Sequence, residues 1–187
     1  MKGLIALSAV SVALLAGAGH GGANTTHQSG ELLRYDVTQL PSLGGASSAG
    51  FSINNRGWVA GRSNLSDNRT RHATLWRNGL VTDLGTLGSK ERNSVVRWPV
   101  KNVRGLITGI SQTDEPDPLE ENWSCSAFFP AATSTGYRCL GFRWEHGEMT
   151  PLPTLGGTHG FAAGSNNRGQ IVGTVDVPED VHAGIYR

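Results

Sequence analysis

The chain has 187 residues, enough for one domain or one repeat array, and its 16 Lys and Arg against 15 Asp and Glu leave a formal net charge of +1. That near-cancellation excludes a broad electrostatic footprint for nucleic acid or an anionic membrane as the main role. With 26 Gly and only 17% charged residues, the composition points to short strands joined by tight turns and away from a helical bundle.

Residues 1–18 read as an export signal. Lys2 supplies the positive start, residues 4–15 the apolar run, and Ala16-Gly17-Ala18 a small-residue cleavage pattern; a second cleavage position follows Ala23. The run is shorter than the ~20 apolar residues of a membrane helix. No integral span is therefore expected after processing, and the expected location is extracellular, cell-surface or periplasmic. Residues 19–33 read as a flexible N-terminal segment, and residues 34–187 as a single repeat domain.

Within that domain three motifs recur in one order. Leu40-Pro41-Ser42-Leu43-Gly44-Gly45 returns as Leu84-Gly85-Thr86-Leu87-Gly88-Ser89 and as Leu152-Pro153-Thr154-Leu155-Gly156-Gly157. Asn54-Asn55-Arg56-Gly57 returns as Asn102-Val103-Arg104-Gly105 and Asn166-Asn167-Arg168-Gly169, each followed four residues on by Gly61, Gly109 or Gly173. His72-Ala73-Thr74-Leu75-Trp76 closes the first copy, Gly141-Phe142-Arg143-Trp144 more loosely the second, and His182-Ala183-Gly184-Ile185-Tyr186 the third. The copies cover residues 40–83, 84–151 and 152–187. The second is longer by an insertion at about 111–139 that holds both cysteines, and insertions in repeat arrays fall on surface loops.

In chain order, residues 35–40 read as a strand. Ala49, Phe51 and Ile53 alternate as one face of the next, and Asn-Asn-Arg-Gly makes a hairpin loop whose Gly57, Gly105 and Gly169 take positive φ. Residues 58–62, 74–77 and 80–84 complete the copy. In the second copy Val96, Trp98 and Val100 form the alternating set. Four short strands per unit of this length describe an all-β, antiparallel, propeller-like array. Three units are fewer than the 4 to 8 blades of closed propellers, so the array is either incomplete or closed by the N-terminal strand 35–40 joining the last sheet.

These recurring motifs resemble the HAF family of extracellular repeats, whose His-Ala-Phe step appears here as His72-Ala73-Thr74 and His182-Ala183-Gly184. Neither step carries the Phe, and the second copy has no clean version. The resemblance covers the chain from about residue 35 onward and implies an exported repeat array of unsettled role.

Leu43, Leu87 and Leu155, the three tip glycines, and Trp76, Trp144 and Tyr186 read as structural repeat positions. Cys125 and Cys139 read as a disulfide pair in an exported chain. As metal ligands they are half a zinc site. Trp58, matched by Leu106 and Gln170, reads as a candidate sugar platform, as does Trp123 in the insertion. Arg56, Arg104 and Arg168 recur at the hairpin tips and could share a carboxylate or phosphate. The acids Asp114, Asp117, Glu120 and Glu121 lack calcium-loop spacing. No cofactor, catalytic residue or metal site is expected. The leading expectation is a noncatalytic binding module for polysaccharide or a surface protein, with association into an oligomer left open. An exported hydrolase or lyase on the same scaffold, or a structural fragment of a longer array, are the alternatives.

Overall fold

Two-residue turns close the outer hairpins. Asn78 and Gly79 both take positive φ (53° and 76°), as do His146 and Gly147 (57° and 93°), the backbone that matches the twist of paired strands. The computed structural model describes residues 34–98, 102, 104–118, 123–178 and 184–185. Of residues 1–37, only 34–37 are among them, and these carry no strand; residues 38–187 form one compact unit.

Among the described residues the strands of the unit are antiparallel and form three sheets. The first is a meander of β1 (Gly44–Ile53), β2 (Val59–Leu65), β3 (Arg71–Arg77) and β4 (Leu80–Asp83). The second repeats it with β5 (Ser94–Val95), β6 (Ile107–Pro116), β7 (Tyr137–Glu145) and β8 (Glu148–Pro151). The third has β9 (Gly160–Ser165), β10 (Ile171–Val175) and β11 (Gly184–Ile185) among the described residues. Among the described residues the sheets do not close into a ring. The strand expected at residues 35–40 is not formed, since residues 34–42 carry no strand, and the described partner of β11 is β10.

The hairpin tips follow one design. Gly57, Gly105 and Gly169 have φ of 73°, 90° and 80°. In each tip the first Asn caps the loop. Asn54 Oδ1 accepts the N–H of Arg56 and Trp58, Asn102 Oδ1 those of Arg104, Gly105 and Leu106, and Asn166 Oδ1 those of Arg168 and Gln170. The Asn side chains also link copies. The Asn54 amide donates to Asn102 O (3.1 Å), and the Asn102 amide to Leu106 O (2.6 Å) and to Ser165 Oγ (2.9 Å) in the third copy. Because Asn102 is buried and its side chain serves five partners, Asn102→Ala should cost about 2–3 kcal/mol, measured by denaturant unfolding.

Consecutive sheets pack with the first strand of one against the middle strands of the sheet before. Val96 N–H donates to Gly61 O (3.2 Å), Ala73 N–H to Ser94 Oγ (2.8 Å), and Arg71 N–H to Asn93 Oδ1 (2.9 Å). Between the second and third sheets, Cys139 N–H donates to His159 Nδ1 (3.0 Å), the counterpart of the Asn93 contact. Ala60, Ala73, Leu75, Leu84, Val96, Ile107 and Phe142 make the core between the first two sheets, with Leu87, Trp58, Trp144 and Met149 at its margin.

Two expectations on strands change. The alternation of Ala49, Phe51 and Ile53 breaks, because a register shift between Gly50 and Ser52 moves the phase by one residue. Ser52 is therefore buried and Ile53 is 66% exposed. The first strand of the second sheet is only Ser94–Val95; Val96 is buried beside it, Trp98 is half-buried, and Val100 lies outside the described residues. Within the insertion at about 111–139, β6 runs on to Pro116, further than its counterparts β2 and β10, and β7 resumes at Tyr137. Between them stand a single helical turn, Trp123–Ser126, and a 3-10 turn, Ala131–Thr133.

The His-Ala step has a structural partner. His72 is buried, its Nδ1 lying 2.9 and 2.8 Å from the two carboxylate oxygens of Asp83 and its Nε2 3.1 Å from Lys90 O. Burial opposes the charge on Asp83, but the His72 ring and the backbone N–H of Gly85 outweigh it and hold the carboxyl below its ordinary value. A depressed carboxylate stabilises the fold fully above the unfolded value and loses that contribution as pH falls through the folded one. Acid titration of stability should therefore be shallower in Asp83→Asn than in the parent below about pH 4, read from unfolding midpoints.

Candidate functional site

The predicted site residues are dispersed. Trp58 is half-buried, with its ring edge over Gly105 of the next copy and the guanidinium groups of Arg56 and Arg77 at 5.4 and 5.2 Å from its centroid. It packs at the margin of the core between the first two sheets. Arg104 repeats the device one copy on, lying over Gly169 and pairing with Glu145 at 3.2 Å. Arg56 therefore stacks on an aromatic, Arg104 pairs with an acid, and Arg168 is exposed; the three do not converge. Trp76 is buried and its indole N–H donates to Pro41 O (2.7 Å). Trp144 and Leu43 are half-buried, and Leu155 is 59% exposed. The side chain of Trp123, and all of Tyr186, Glu120 and Glu121, lie outside the described residues.

Cys125 and Cys139 form a disulfide, with Cα atoms 6.0 Å apart, that ties the helical turn of the insertion to β7. Behind it sits a pair that no motif announced. His159 is wholly buried, and its Nε2 stands 3.2 Å from Asp117 Oδ2 without hydrogen-bond alignment. His159 and the two sulfurs lie within 4.8 Å of one another, a donor set that could hold a metal only with the cysteines reduced. Two features make it structural here: the sulfurs are bonded to each other, and His159 Nδ1 already accepts from Cys139 N–H. The acids of the insertion are engaged as well. Asp114 takes Ser89 N–H, Ser89 Oγ and Arg92, and Glu115 pairs with Arg138 at 2.8 Å.

The convergent site is elsewhere. Arg62 on β2, Arg71 on β3 and Arg97 just after β5 come close together: Arg97 raises the electrostatic cost of charge on Arg62, and Arg62 and Arg97 both raise it on Arg71. Burial, then Arg97, lowers the Arg62 guanidinium from its ordinary value. Burial, then Arg62 and Arg97, pushes Arg71 down to about 10. No carboxylate among the described residues pairs with any of the three. Their polar partners are neutral: Arg62 donates to Ser47 Oγ (3.1 Å), and Arg71 to Asn64 Oδ1 (3.2 Å) and Phe128 O (2.8 Å).

Half-buried aromatic rings wall the cluster. Arg97 and Arg62 stand 4.9 and 6.0 Å from the Phe51 centroid. Trp98 stacks on Phe161 at 4.7 Å, nearly parallel, and meets Phe128 edge-on at 5.1 Å. All three sheets and the insertion contribute to this patch, Phe128 arriving from the segment held by the disulfide. Surplus positive charge beside apolar faces is suited to a ligand that carries an anion on a ring.

The motifs of the sequence single out none of these three arginines. One signal is nonetheless present: Arg62 stands where the other copies have Ile110 and Thr174, so a charge replaces a side chain that is fully buried in the second copy.

No family model, no curated protein and no solved structure matches the chain.

Proposed function

We propose that this protein is an exported, noncatalytic repeat protein of the HAF type, built as a propeller-like array, that binds carboxylate-bearing carbohydrate at the Arg62, Arg71 and Arg97 cluster. The observation that carries the reading is the cluster itself: three guanidinium groups, two of them desolvated, without an acid among the described residues to answer them, next to four aromatic rings. A charge held at such cost favours an incoming anion, since a bidentate guanidinium–carboxylate contact restores what burial removes. Trp98, half-buried with Phe161 stacked on one face, adds aromatic surface that suits the apolar side of a sugar ring.

Titration calorimetry with an oligouronate and a neutral oligosaccharide of equal length tests this. The acidic glycan should bind, more weakly as salt rises, and the neutral one should not. Arg71→Ala should weaken binding by about 10- to 100-fold, the loss of one charge-assisted contact. Equal binding of both glycans, or no binding of either, would sink the proposal, and release of new reducing ends would overturn its noncatalytic part.

A further inference from the structure

The way one sheet packs on the next is repeated inside the chain, so each face of the repeat can be compared with its equivalents. The residue before the glycine of the second strand is Ala60 in the first sheet, Thr108 in the second and Val172 in the third. Ala60 is 4% exposed and Thr108 2%, each covered by the sheet that follows, whereas Val172 is 48% exposed. The same comparison applies to the opposite face. The residue paired with that glycine from the first strand is Gly50, Val96 or Ala162, by register. Val96 and Ala162 are both 0% exposed beneath the preceding sheet, while Gly50 is exposed.

Beside Gly50 lies an open groove of about 930 Å³, walled by Leu40, Pro41, Ala46, Ala49 and Trp76. Ala46 is the repeat equivalent of Thr158, whose carbonyl accepts a 2.7 Å bond from Arg138 of the sheet before. Among the described residues the array thus presents two different open faces that are the two halves of an interface it already makes twice.

We infer that a second copy of this chain docks head to tail on these faces, the β10 surface of one copy on the β1 surface of the other, and that two copies close a ring of six sheets. Six falls within the 4 to 8 blades of closed propellers. Closure uses each face once per copy and leaves none open, the condition for a finite assembly rather than a filament. The chemistry of the two faces is compatible: Val172 is apolar, and the groove that receives it offers Leu40, Pro41, Ala46, Ala49 and Trp76 between the polar groups of Gln39, Ser42 and Ser48.

Sedimentation velocity of the purified chain over a wide concentration range is the test. The expected species has twice the chain mass. Val172→Glu and, separately, Ala46→Glu place an unpaired charge on opposite faces, at exposed positions that leave the monomer fold intact by circular dichroism. Each should weaken self-association at least about 100-fold. Leu80→Glu, at a 71% exposed position of the outer strand β4, should leave it unchanged. A monomer at all concentrations, an open ladder of sizes, or a dimer that survives both face variants overturns the inference. Oligouronate binding is measured separately, so failure here leaves the binding proposal standing.

Discussion

Phe142→Ala is expected to remove about 3–5 kcal/mol of stability, the usual loss for a buried Phe cut back to a methyl group. Its ring is 0% exposed on β7 and belongs to the core that the first and second sheets share, with Ala60, Ala73, Leu75 and Val96. The fit is close on one side for a specific reason. Gly109, opposite Phe142 in register, has no Cβ, and one built there would lie 2.8 Å from the Phe142 ring and against the Val95 carbonyl. Surrounding backbone is therefore already in contact and cannot collapse into the space the ring vacates. The loss should reach beyond the second sheet. Hydrogen exchange should rise in β2 and β3 as well as in β6 and β7, since the seam between sheets is what the ring fills. Faster exchange confined to β6 and β7 would mean that the sheets are independently stable.

The second large effect is expected from opening the disulfide. In the chain-entropy account, a cross-link spanning 14 positions, as Cys125–Cys139 does, contributes about 3 kcal/mol by restricting the unfolded chain. The double replacement Cys125→Ser with Cys139→Ser should therefore lower the melting temperature by several degrees, on the order of 6 to 12 °C for a chain of this size. It should also act on the arginine cluster. Phe128 lies three residues from Cys125, accepts a bond from Arg71 through its carbonyl, and meets Trp98 edge-on. With the tie cut, oligouronate affinity should fall while the outer strand β4 keeps its exchange protection. Unchanged affinity in the double variant would show that the insertion holds Phe128 without the cross-link.

The turns are legible in the sequence because their chemistry is local. Asn-Gly at 78–79 and the Asn-x-Arg-Gly tips demand positive φ at their glycines, and neighbouring side chains supply the caps, so sequence spacing alone predicts where each hairpin reverses. Strand faces are less legible. The bulge at 50–52 depends on how closely β1 approaches β2, where a Cβ on Gly61 would run into the Ala49 carbonyl. Nothing in the alternation of Ala49, Phe51 and Ile53 reports that approach.

The candidate site shows the same division. Arg56, Arg104 and Arg168 recur at one repeat position, yet their partners differ because each tip meets a different neighbour: Trp58, Glu145 or solvent. Arg62, Arg71 and Arg97 share no motif and come from two strands and a loop edge, so only the packing of one sheet on the next brings their charges together. The same holds for His159 and Asp117, far apart in sequence and joined where the third sheet meets the insertion. By itself, the sequence determined the repeat, its hairpin reversals and its cysteine pair: the repeat is written in recurring motifs, the reversals rest on interactions between near neighbours along the chain, and two cysteines leave one pairing. Tertiary structure decided which side chains converge and which faces stay open, because both depend on contacts between sheets that no local pattern encodes.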